Sequence, residues 1–214
     1  MMITNKFVWF HFPKTAGTTT SKILNTNLLN SDILIQAHQS SPDKHINLNN
    51  FIKNYGGYQH LPFVMGFRKL TNWISSFNRH HLRTIYKYAQ HQQVTNDIIK
   101  FVEDQSRKGL IINKPKKIMR LKKKHWVPAD KIIESWNLYN YLNQIQFIRQ
   151  EYLFQDLNIL IKKYFNLHIS NDRYLENQND TFPPIYYNNK DIKITHETNP
   201  LWSKLEAKIY DSDD

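Results

Sequence analysis

Residues 7–24 read FVWFHFPKTAGTTTSKIL, and the reading of this stretch decides the fold. An apolar run passes into a short segment with Pro13, Lys14 and Gly17. Four hydroxyl residues, Thr18, Thr19, Thr20 and Ser21, then stand at the head of a helical pattern. The order is strand, loop, helix. A helix start leaves backbone N–H groups unpaired and carries the positive end of the helix dipole. Gly17 lets the backbone approach a ligand, Thr18 and Thr19 add hydroxyl donors, and Lys14 brings a mobile positive charge. Together these suit a phosphate. A Walker A loop would place its lysine after the second glycine of Gly-x-x-x-x-Gly-Lys-Ser/Thr, whereas here the lysine precedes the glycine by three residues. The same residues would also serve as an ordinary turn with helix-capping threonines.

The rest of the chain is compatible with one globular domain over residues 1–214. It is 40% hydrophobic and 14% aromatic, enough for a substantial core. No apolar run is long enough to cross a bilayer, and the first strand pattern starts too early to leave room for a signal peptide. With no cysteine, disulfides and thiolate metal sites are excluded, and a cytoplasmic location is the expectation. Lys and Arg outnumber Asp and Glu by 29 to 18, a net charge of +11. Such a field favours an anionic partner without naming it: a nucleotide, an acidic polysaccharide and a nucleic acid all fit.

Downstream of the loop, Ile23, Leu24 and Leu28 give one buried face to a helix over 21–29. Asp32–Ile35 is a short strand pattern, and 36–43 reads as a loop bracketed by His38 and His45. Leu48, Phe51, Ile52 and Tyr55 fall at helical spacing and stop at Gly56-Gly57. Residues 61–67, LPFVMGF, form a buried parallel strand pattern that ends at Arg68. Leu70, Trp73, Ile74 and Phe77 open a helix directly after it. A short helix over 96–105 turns Ile98, Ile99, Phe101 and Val102 inward, and residues 114–124 pack seven basic side chains into eleven positions. Ile145–Arg149 predicts a strand and Glu151–Phe165 a long helix. The Asn-, Asp- and Pro-rich stretch 170–195 reads as loop, and 201–210 as a last helix. Repeated strand-loop-helix units point to a three-layer α/β fold with a central, mostly parallel sheet.

The core PKTAGT, residues 13–18, resembles the 5′-phosphosulfate loop of sulfotransferases that use 3′-phosphoadenosine 5′-phosphosulfate (PAPS). Two further stretches are similar to elements of that family. Arg68 and Ser76 in RKLTNWISS keep the spacing of its 3′-phosphate element, although Leu70 and Trp73 replace its usual proline and second arginine. QFIRQEYLFQDLNIL, residues 146–160, resembles its late strand and helix. The resemblance covers roughly residues 7–77 and 125–165, and it implies a P-loop-NTPase-like sulfotransferase architecture. It assigns donor binding to Lys14, Thr15, Ala16, Gly17, Thr18, Thr19, Arg68 and Ser76. PAPS would be the donor and adenosine 3′,5′-bisphosphate the product, with no metal.

The implied reaction moves a sulfuryl group to a hydroxyl or amine. Lys14 would neutralise charge on the leaving phosphate, and a histidine would take the acceptor's proton. His45 matches the position of the histidine in uronyl 2-O-sulfotransferases, and His38 stands at the end of the second strand pattern, where α/β sites form. His125, in HWVPAD, is similar to a segment of carbohydrate sulfotransferases that lines the acceptor cleft. A neutral or anionic glycan is the acceptor this branch implies, with no nucleic acid and no membrane span. Two other readings stay open: a P-loop nucleotide kinase, and a basic nucleic-acid-binding protein without catalysis resting on the 114–124 run. Arg107-Lys108-Gly109 matches a donor triplet of cytosolic sulfotransferases but stands at the wrong place in the chain, so it carries no role.

Overall fold

The computed structural model describes residues 1–38, 40–88, 96–112, 126–169 and 184–211. The chain divides into two compact units, Met1–Arg68 with Glu134–Asn177 and Lys69–Ile133 with Gln178–Asp214. His125 and the basic run 114–124 lie outside the described residues.

The first unit is an α/β structure around a five-stranded mixed sheet. Its strands are β1 (Met2–Thr4), β2 (Val8–Phe10), β3 (Ile33–Gln36), β4 (Phe63–Phe67) and β7 (Ile145–Arg149), in the order β3-β1-β2-β4-β7. β2, β4 and β7 pair in parallel, with Phe10 opposite Met65 and Phe67 opposite Arg149. β1 is antiparallel to both of its neighbours, so it is the one reversed strand. The sequence pattern misses it because it is three residues long. A turn at Asn5-Lys6 brings it back on β2, closed by Thr4, whose hydroxyl donates to Phe7 O at 2.8 Å and accepts from Phe7 N at 2.9 Å. The expected mostly parallel sheet is therefore mixed, with β1 lying between β2 and β3.

Alternate residues of β2 meet different helices, as the two-residue period of a strand requires. Trp9 shares a core cluster with Ile23 and Leu24 of α1 (Gly17–Asn27), and with Leu157, Leu160 and Ile161 of α6 (Leu153–Phe165). Phe10 instead packs edge-on against Phe51 of α2 (Leu48–Tyr55) at 5.0 Å and against Phe63 of β4 at 5.3 Å. With Phe7, Trp9, Phe10 and Phe12 fully buried, the strand leading to the loop is a rigid support. Burying one such side chain stabilises by about 1.5–3 kcal/mol.

The second unit holds α3 (Leu70–Tyr88), α4 (Asn96–Arg107), the antiparallel pair β5 (Leu110–Ile112) and β6 (Trp126–Pro128), α7 (Asn189–Thr198) and α8 (Pro200–Tyr210). α5 (Asp130–Trp136) carries the chain from this unit into the first. Trp73 packs against Trp202 with ring centroids 4.4 Å apart and planes tilted by 41°, and Asp130 accepts from Leu201 N and Trp202 N at 2.8 Å each, capping α8. Two expectations are corrected here. Residues 189–195 are helical rather than loop, because Asn188 and Asp191 form a reciprocal capping box and so start a helix where their composition suggests a break. Phe101 does not face inward: it is 38% exposed and touches Trp126 only edge-on, while Val102 is the buried residue of that turn. The Arg-Lys-Gly triplet closes α4. Arg107 pairs with Glu103 and Asp104 on its own helix, and Gly109 takes a left-handed φ of 77° against the Asn199 side chain. No helix among the described residues is long and apolar enough to cross a membrane.

Candidate active site

The loop between β2 and α1 leaves the C-terminal edge of the sheet, where α/β proteins place their ligands. Its backbone is unusual for its residue types. Lys14 and Ala16 both take left-handed conformations, with φ of 62° and 57°. Each costs about 1–2 kcal/mol for a residue that is not glycine, asparagine or aspartate. Ala16 is also the residue before α1, and it offers no side-chain cap to the helix. Left-handed residues interleaved with ordinary ones turn successive N–H groups toward a common concavity, the arrangement that cradles anions elsewhere. The two remaining left-handed non-glycine residues in the described structure are Asn137 and Asn166, a residue type that tolerates the conformation.

Two glycines hold this loop in place. A Cβ on Gly17 would stand 1.9 Å from the His11 ring, so the first turn of α1 can lie on that ring only with glycine there. A Cβ on Gly66 of β4 would stand 2.6 Å from Thr15 Oγ1 and 2.8 Å from Thr15 O, so the loop rests directly on the neighbouring strand. Thr15 is buried and its hydroxyl donates to Phe12 O at 2.9 Å. Its side chain therefore serves the loop's own structure, and only its backbone faces the task expected of it. Thr18 is exposed and Thr19 half-buried at the start of the helix, while Thr20 is buried and donates back to Ala16 O at 3.2 Å.

Of the two histidines read as bases, the structure joins one to the loop. His45 ends a short 3-10 turn, Pro42–His45, whose Asp43 accepts from Tyr55 of α2 at 2.7 Å. Its ring lies 4.7 Å from the His11 ring, and its Nδ1 is 2.8 Å from His11 O. A carbonyl only accepts, so Nδ1 must carry the proton, and Nε2 is left with its lone pair. Burial lowers the His45 pKa. The bond to His11 raises it in part, and the Lys44 and Lys14 cations lower it further, so the ring is neutral at pH 7. His38 is exposed, and its Nδ1 is engaged at 2.8 Å by Ser40 of the same turn.

No protein-family model, curated protein or solved structure matches the chain.

His11 is the residue that sequence reasoning missed. Only 7% exposed, it is held down to a pKa of about 3, first by burial and then by His45 and the nearby cations. The one available signal was its place one residue beyond a strand end. Arg68 directly follows β4, half-buried and on the same sheet edge as the loop. Ser76 lies half-buried in α3, within the second unit. The third stretch that carries the resemblance has a structural use. Arg149 at the end of β7 grips Asp156 of α6 with two bonds, Nε to Oδ2 at 3.0 Å and Nη2 to Oδ1 at 2.8 Å, and its backbone N donates to Oδ2 at 2.7 Å. Among the described residues no three His, Asp or Glu side chains gather as a metal site.

Proposed function

We propose that this chain is a sulfotransferase that moves a sulfuryl group from PAPS to a hydroxyl or amine acceptor on a glycan, within a P-loop-NTPase-like three-layer fold. The observation that carries the reading is the strained loop at the end of β2 together with His45, whose Nδ1 is tied to that loop's own strand exit. The N–H groups of residues 14–19 hold the 5′-phosphosulfate, and Arg68 at the next strand end takes the 3′-phosphate.

In the transfer, the acceptor oxygen attacks sulfur as the bond from sulfur to the bridging phosphate oxygen breaks. The electron pair leaves with adenosine 3′,5′-bisphosphate, and Lys14 neutralises the developing charge. The acceptor's proton passes to His45 Nε2. A neutral imidazole with a fixed tautomer is suited to receive it, and the charge it gains is shared through Nδ1–H with the His11 carbonyl.

The test is calorimetric titration of the full chain with adenosine 3′,5′-bisphosphate and, separately, with ATP and Mg²⁺. Labelled PAPS then follows as donor over a panel of glycans. The bisphosphate should bind at least tenfold more tightly, since a lost charge-assisted hydrogen bond is worth roughly 1.5–3 kcal/mol. Equal affinity for the two nucleotides would replace this reading by the kinase one.

A further inference from the structure

Gln150 is the first residue beyond β7, and its side-chain Oε1 is buried with no hydrogen-bond partner among the described residues. Such an atom is rare, because it has lost water and gained no donor in return. The sheet register fixes where it stands. β4 and β7 run in parallel, with Gly66 opposite Ile148 and Phe67 opposite Arg149. Arg149 keeps an extended backbone, with φ of −73° and ψ of 124°. Gln150 is therefore the next step of β7, beside Arg68 as the next step of β4, on strands about 4.8 Å apart. Side chains alternate between the two faces of a strand. The face that holds Gly66 is the one on which Thr15 rests, since a Cβ on Gly66 would run into Thr15. Two residues further on, Arg68 and Gln150 end their strands on that same face, and both belong to the first unit with the loop.

In a 3′-phosphorylated ribose the 2′-hydroxyl stands on the carbon next to the phosphate. A residue beside the cation that takes the 3′-phosphate meets that hydroxyl first. A phosphate dianion only accepts hydrogen bonds, so a carbonyl oxygen cannot pair with it. A hydroxyl donates to Oε1, and it equally accepts from the amide turned over. We propose that Gln150 reads the ribose 2′-hydroxyl of the donor, its side-chain torsions turning Oε1 to meet the bound sugar. The assignment rests on the sulfotransferase reading and divides the donor's recognition in two. The loop and Arg68 hold phosphates that a deoxynucleotide shares, and Gln150 holds the one group that a deoxynucleotide lacks.

The experiment is calorimetric titration of the full chain, wild type and Q150L, with adenosine 3′,5′-bisphosphate and with its 2′-deoxy analogue. The wild type should bind the ribonucleotide about five- to tenfold more tightly, the usual value of one hydrogen bond between neutral groups. Q150L should bind both nucleotides alike, with the affinity that the wild type has for the deoxy analogue. Its melting temperature should not fall, because leucine replaces a carbonyl that has no donor. Equal affinities in the wild type would overturn the assignment and leave the donor site standing. So would a preference that survives in Q150L, or an equal loss for both nucleotides, which would put the amide on a phosphate. A large drop in the Q150L melting temperature would make the amide a part of the fold and would overturn it too. If neither nucleotide binds the wild type, the donor site itself fails, and the role of Gln150 with it.

Discussion

Two strands of the same sheet end on the same edge and are finished in opposite ways. At the end of β7, the arginine is neutralised within the protein: Arg149 and Asp156 form a largely enclosed two-bond pair that staples strand to helix. At the end of β2, the chain is held by close packing. The His11 ring fills the space over Gly17, Thr15 sits on Gly66, and a strained backbone supplies the turn. A strand end closed by its own ion pair needs nothing further. Backbone strain of the kind seen at Lys14 and Ala16 clusters at active sites and ligand clamps. The contrast sets a structural staple at the end of β7 against a strained, closely packed loop at the end of β2.

The largest effect should come from breaking the staple. D156A removes both carboxylate bonds from a guanidinium whose side chain is only 12% exposed, so chemical denaturation should report a loss of about 3–5 kcal/mol. An unchanged midpoint would mean that β7 and α6 are held by their apolar contacts alone. At the other strand end, K14A should lower sulfuryl transfer from PAPS by about a hundredfold or more, as removal of a transition-state charge donor does. Its melting temperature should move far less than that of D156A. Near-normal turnover in folded K14A would take the loop out of the chemistry.

The packing at the end of β2 can be tested directly. G17A puts a methyl group into the His11 ring and should destabilise by about 1–3 kcal/mol, the usual cost of overpacking. Gly56 has no atom within 4 Å of an added Cβ and sits in a right-handed conformation. G56A should therefore be neutral or stabilise by about 0.4–1 kcal/mol through the unfolded chain. If both variants melt alike, the Gly17 clearance is not needed.

A further effect is a pH slope. His11 falls from its ordinary 6.5 to about 3 on folding, so between those values the unfolded chain binds more protons than the folded one. Stability contributed by the neutral ring is therefore complete above about 6.5 and is lost as the pH falls toward 3. The slope is at most about 1.4 kcal/mol per pH unit for one group. Urea midpoints measured at pH 7, 6 and 5 should drop accordingly, and the drop should flatten in H11Q. An identical slope in H11Q would assign the proton uptake to another group.

The sequence by itself determined the local elements around the loop. Strand, loop and α1 are legible from 7–24, because apolar periodicity and a hydroxyl-rich helix start are short-range signals. β4 with its following helix, and β7 with α6, are legible for the same reason. Tertiary structure alone decided what those elements do together. A three-residue strand such as β1 has too few side chains to show a period, and only its pairing with β2 and β3 makes the sheet mixed. The value of Gly66 lies in Thr15, fifty-one residues away, and what ties His45 rather than His38 to the loop is the carbonyl of His11. The use of Arg149 likewise lies in Asp156 of the following helix. Sequence reports which groups are present and at what spacing. Whether a charged or polar group is used up by a neighbour depends on contacts between residues far apart in the chain, and these form only when the sheet closes.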